Sequence, residues 1–153
     1  MVYLLALLIG IVAGLRAMTA PAAISLAAYF GLLDLSGSWL AFLGYKFTPW
    51  ILLVLALGEL VTDQLPSTPS RTVPVQFITR ILSGALTGGA IGIVAGSLWA
   101  GAIVGAIGAV TGTLGGRAAR AKMAAAFGKD RPAALIEDAL AIGGAVLIVL
   151  VLP

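Results

Sequence analysis

The chain has 153 residues, 61% of them apolar and only 10% charged, with a formal net charge of +3. A soluble domain carries about 25% charged residues, and a chain this short cannot hide so much apolar surface from water, so the composition predicts an integral membrane protein. Cys and His are both absent, which excludes disulfides, thiolate or histidine metal sites, a cysteine nucleophile and a Ser-His-Asp triad. The nine Lys and Arg residues form no solvated basic face. They are read as reporters of membrane topology, and no nucleic-acid partner is expected.

Residues 1–33 contain one charged side chain, Arg16, and one proline, Pro21. No basic residue precedes Arg16, so the segment lacks the start of a secretory signal and is read as a retained membrane helix. It is too long for one level crossing, and each half is too short, since a crossing takes about 20 apolar residues. The expectation is one crossing broken near Met18–Pro21, with Thr19 as N-cap of the second half and Pro21 in its first turn. Residues 34–46 read as a loop whose Trp39 and Tyr45 suit a lipid–water interface. A second helix is expected at about 47–65. The polar run from Asp63 to Pro74 holds three prolines and reads as a rigid connection.

From Ile81 to Gly116 there is no charged residue, a length of about 54 Å as helix, hence two crossings. The turn is placed near Gly96–Ser97, the third helix at about 75–95 and the fourth at about 98–117, with an extension to Phe127. A fifth helix follows at about 133–152. The predicted fold class is an all-α membrane protein, one transmembrane domain over 1–153 with about five transmembrane helices. An N-terminus in the cytoplasm then places Arg71, Arg80, Arg117, Arg120, Lys122, Lys129 and Arg131 on the cytoplasmic side. Lys46 alone lies outside, as the positive-inside rule requires, and the C-terminus is expected outside.

Glycines recur every four residues at Gly84, Gly88, Gly92 and Gly96, at Gly101 and Gly105, and at Gly108, Gly112 and Gly116. Residues four apart share a helix face, and glycine lets backbones approach closely. The spacing predicts glycine-zipper packing, within one bundle or between subunits, and with it a homo-oligomer, most simply a dimer. A shorter echo relates GLRAMTA (14–20) to GGRAARA (115–121). On the five-crossing topology the two run oppositely, as in an inverted repeat.

Charge inside a membrane is costly and marks sites or ion pairs. Arg16, beside a helix break, reads with Thr19 as an anion site at an inward-facing helix N-terminus, or as half of a structural pair with Glu59 or an acid of the fifth helix. Glu59 and Asp63 share a helix face. Glu137 and Asp138 are adjacent and point in different directions. Together with Arg80 and Arg117 these residues line a polar cavity for a substrate, or else the two arginines neutralise the acids and hold the helices in register. The acid spacing matches no metal motif, and neither a metal nor a cofactor is expected.

Three runs taken together, GLRAMTAPAAISLAA, DQLPSTPSRTVP and RILSGALTGGAIG, carry a resemblance over nearly the whole chain. They resemble a family of small bacterial multi-spanning inner-membrane proteins, the domain-of-unknown-function family four-one-two-six. The resemblance implies a bacterial inner-membrane protein and supplies no substrate or catalytic residue. The functional expectation from the residues is a small transporter or channel-like protein for a small anionic solute. Arg16 would bind the charge and Glu59 would be the coupling acid. The alternatives are a non-catalytic membrane scaffold and an enzyme acting on lipid phosphates.

Overall fold

The computed structural model describes residues 1–65 and 70–153; residues 66–69 of the proline-rich connection lie outside the described residues. All regular structure there is helical: α1 (Val2–Leu15), α2 (Thr19–Tyr29), α3 (Thr48–Thr62), α4 (Pro74–Gly92), α5 (Leu98–Phe127) and α6 (Asp130–Leu150). Short 3-10 turns sit at Trp39–Gly44 and Ile93–Ala95. Among the described residues three helices are long and apolar enough to cross a membrane: α4 with its following 3-10 turn, α5 and α6. Helices α1 and α3 are apolar but shorter. Many large apolar side chains face outward, among them Val54, Val61, Leu82, Ile103 and Leu147, the surface expected where lipid replaces water.

The expected turn at Gly96–Ser97 is present. Gly96 takes φ +78, the left-handed region that glycine alone enters freely, and the Ser97 side chain accepts from the Ala100 N–H to start α5. Gly96 therefore belongs to the turn and not to the packed face that its spacing suggested. Helix α5 runs to Phe127, and α6 begins at Asp130, earlier than expected. An acidic residue in the first turn complements the helix dipole there, and Pro132 needs no hydrogen bond so near the start.

Helices α4, α1 and α5 meet backbone to backbone. A Cβ added at Gly84, Gly88 or Gly92 would overlap backbone or side-chain atoms of Ala109, Gly105, Gly101 or Ser97, in an antiparallel register. Along the other side of α5, Gly108 meets Leu7 and Gly10, Gly112 meets Ile11, and Gly116 meets Leu15. Both numbers rise together, so α1 and α5 are parallel.

That register corrects two expectations. The helices that carry the starts of the two echo segments, α1 and α5, lie side by side and parallel, and the first segment then breaks at Arg16 while the second stays helical. They are not related by inversion. Residues 1–33 are also not one interrupted crossing. The chain breaks at Arg16–Met18, and α2 turns back along α1. Thr19 to Leu26 lie in the same groove as Ile142 to Leu150 of α6. Helix α6 runs antiparallel to α1, with Asp138 against Arg16 and Gly144 against Val12. Tyr29 at the far end of α2 packs edge-on against Trp50 at the start of α3. Helices α1 and α2 thus form a hairpin, and Met1 and Leu150 lie at the same end of the bundle. An N-terminus and C-terminus on opposite sides does not fit this geometry. The reason is physical: an extended residue at Arg16 (φ −142, ψ 112) reverses a chain where a proline kink would merely bend it.

The end that holds Met1 carries little charge. There Ser36 donates its N–H and hydroxyl to Asp34 at 3.0 and 2.6 Å, which holds that carboxyl below its ordinary range.

Candidate functional site

The charges gather at the other end, around the tip of the α1–α2 hairpin. The tip leaves orphan backbone groups, as any helix end does, and side chains of three other helices satisfy them. Arg80 of α4 donates to the Gly14 carbonyl at 2.8 Å, and Thr113 of α5 to the same oxygen at 3.3 Å. Ser83 donates to the Ala17 carbonyl at 2.5 Å. Glu59 of α3 receives the N–H groups of Ala17 and Met18, one on each carboxylate oxygen, both at 2.8 Å. An acid at a helix N-terminus is favoured by hydrogen bonding and by the dipole together. Glu59 is thus the cap of α2, and Met18, not Thr19, occupies the N-cap position. The Thr19 hydroxyl is buried without a hydrogen-bond partner.

Arg16 is fully buried. Its guanidinium reaches Asp138 through Nε at 2.6 Å and through a second nitrogen, Asp63 at 2.7 Å and Glu137 at 3.5 Å. Of the two expected kinds of partner, the acids of the last helix meet Arg16 and Glu59 does not. Glu137 and Asp138 have different chief partners, Arg71 and Arg16, and Arg16 also lies 3.5 Å from Glu137. Gln64 donates to the second oxygen of Asp138 at 3.2 Å.

Two arginines outside the predicted set complete the cluster. Arg71, between the connection and α4, donates to both oxygens of Glu137 at 2.9 and 3.1 Å. Arg120 on α5 bridges Asp63 at 2.6 Å and Asp130 at 2.7 and 3.0 Å. Arg80 lies 3.7 Å from Glu59. Arg117 does not neutralise the acids; it is exposed and donates to Thr72 at 3.0 Å. The structure therefore brings together Arg16, Asp63, Glu137 and Asp138, places Glu59 and Arg80 beside them, and leaves Arg117 at the rim and Thr19 in an apolar groove. Arg71 and Arg120 looked like topology markers in the sequence, and Asp130 was not singled out. Their sign was legible, and their inward direction depends on where α5 and the connection pass.

Three cavities adjoin this cluster. The first, about 580 Å³, is lined by Asp63, Arg71, Arg117, Arg120, Asp130 and Arg131 among others. The second, about 480 Å³, lies between α3 and α4 and is lined by Glu59, Asp63, Gln76, Arg80 and Met18. The third, about 490 Å³ and mostly apolar, runs from Met18 and Pro21 along α4 to Trp39, Leu98 and Trp99. Asp63 is common to the first and second, and Met18 to the second and third.

Residues 3–153 match the family described as Domain of unknown function (DUF4126), and the chain belongs to that family. No curated protein and no solved structure matches it.

Proposed function

We propose that the protein is a small transporter or channel-like membrane protein for a small anionic solute. The observation that carries this reading is a series of three neighbouring cavities: an arginine-rich one shares Asp63 with a polar one, which shares Met18 with an apolar one along α4. In this reading the solute meets Arg71, Arg117 and Arg131 first, and not Arg16 and the α2 N-terminus, which are already taken by the protein's own acids, Asp63 and Asp138 on Arg16 and Glu59 on the backbone N–H groups. Asp63 then forms the wall shared by the first two cavities, held from behind by Arg16, and Glu59, between the α2 cap and Arg80, is the acid placed to couple movement to protons.

The same reading puts the chain in the bacterial inner membrane, with the basic end in the cytoplasm. Both Met1 and Leu150 then lie outside. The glycine contacts act as zipper packing in the monomer, and the crevice between α3 and α4 is closed in a homodimer. A second reading, a non-catalytic scaffold, draws on one observation: Arg16 and the hairpin tip are almost wholly satisfied by internal partners.

Flux separates the two. Purified protein in liposomes should pass small anions faster than empty liposomes, and Asp63→Asn should change that rate. Equal leakage with and without protein favours the scaffold. The cysteine-free chain also permits single-cysteine labelling: Val2→Cys and Leu152→Cys should react from outside and Lys122→Cys from the cytoplasm. Labelling of positions 2 and 152 from opposite sides would overturn the hairpin topology.

A further inference from the structure

Resting on the anion reading above, we infer that the arginine-lined cavity is a phosphate site. It takes a doubly charged tetrahedral oxyanion, either free inorganic phosphate or the phosphomonoester of a lipid headgroup.

The first observation is an unused donor. Arg71 is more than nine-tenths buried. Its NH2 is committed to Glu137, while its NH1 is buried with no hydrogen-bond partner. A buried, charged N–H without an acceptor is costly, and Arg71 also lines the cavity, so a turn of its guanidinium toward a bound anion would supply the missing acceptor. NH1 lies beside Gly116, where a Cβ would come within 3.1 Å. The glycine leaves it room.

The second observation is the balance of charge. Four arginines line the cavity, Arg71, Arg117, Arg120 and Arg131, against two acids, Asp63 and Asp130. Four minus two leaves two positive charges on the wall. Both acids are held by Arg120, which keeps them from facing the ligand alone. Among the described residues neither Arg117 nor Arg131 pairs with an acid. A dianion neutralises two charges where a monocarboxylate or a halide leaves one.

The third observation is donor type. Every cation of the lining is a guanidinium, whose planar fork matches phosphate oxygens in pairs, and Ser70 adds a hydroxyl to the wall. A phosphate has enough acceptor oxygens to meet Arg71, Arg117 and Arg131 at once, and a carboxylate has two. A volume of about 580 Å³ admits the ion with its substituent.

The test uses the full chain in detergent, with thermal unfolding followed in inorganic phosphate, acetate and chloride at matched ionic strength. Phosphate should raise the midpoint and the other two should not. Arg117→Gln with Arg131→Gln should weaken phosphate binding by about tenfold or more, and Arg71→Lys, which keeps the charge and removes the second guanidinium nitrogen, should weaken it as well. Circular dichroism of each variant without ligand shows that it has folded. In lipid nanodiscs, stabilisation by phosphatidic acid over phosphatidylcholine assigns the lipid source, and stabilisation by inorganic phosphate alone assigns the free ion. Acetate as effective as phosphate would overturn the phosphate site and leave the anion reading standing. Phosphate binding without anion flux in liposomes would keep the site and remove the transport reading. No response to any phosphate form overturns the site.

Discussion

The glycine seam and the charged end are both buried, and they are held in opposite ways. Along the seam, α4, α1 and α5 touch through missing atoms: Gly84, Gly88, Gly101, Gly105 and Gly112 allow backbones to meet where one methyl group would collide. At the charged end the side chains are present and most are paired: Arg16 and Arg120 are each shared between acids of different helices, and Arg71 holds Glu137. Shape holds the seam, so it has no tolerance for volume and full tolerance for charge-neutral surroundings. Pairing holds the charged end, so it tolerates volume and not the loss of a partner.

Four substitutions sharpen that contrast. Removing Arg16 should have the largest effect. Arg16→Ala leaves Asp63, Glu137 and Asp138 with one cation fewer in a buried site, a loss of about 3–5 kcal/mol, read as a fall in the denaturation midpoint in detergent. Adding Asp138→Asn should restore part of it. Failure of the second change to restore anything would mean that the cluster is not held by pairing.

Gly105→Ala comes next. The new methyl would strike the Gly84 carbonyl and the Gly88 backbone, and overpacking of this kind costs about 1–3 kcal/mol. Wild-type melting would show that the helices separate at no cost. Glu59→Gln should cost less, about 1–2 kcal/mol, because an amide oxygen still accepts from one N–H of the hairpin tip while the second bond and the charge are lost. Hydrogen exchange at Ala17 and Met18 should rise in this variant; unchanged protection would remove Glu59 from the cap. The smallest effect is expected at Gly143→Ala. Nothing lies within 4 Å of a Cβ there, so helix propensity alone acts and should stabilise by at most about 1 kcal/mol. A marked loss at Gly143 would reveal a contact with another chain.

The seam was far easier to read in the sequence than the charged end. Four-residue glycine spacing is local, and it pointed to the faces of α4 and α5 that pack, with Gly96 as the exception because a turn uses its conformational freedom. It did not say that α1 is the third member, since Gly10 and Gly14 form too short a run. The charged residues were legible as a set, and their pairing was not. Which acid meets Arg16 depends on the direction of α2, and composition near Pro21 suits a kink and a reversal alike. Once α2 reverses, Glu59 is carried to the hairpin tip and Asp63 to Arg16, and Arg117 is left to the solvent. One backbone torsion region at Arg16 decides all of these assignments.

The pairing of Arg16 with Asp138 spans 122 residues, and this sets an order of events during synthesis. The hairpin of α1 and α2 leaves the ribosome first, with its guanidinium bare. Asp63 arrives next, and Glu137 and Asp138 come only with the last helix. Until then one of its three acids is at hand, so the tip of the hairpin gains its full set of partners only when α6 packs, and the native form of α1 depends on a contact made 122 residues later.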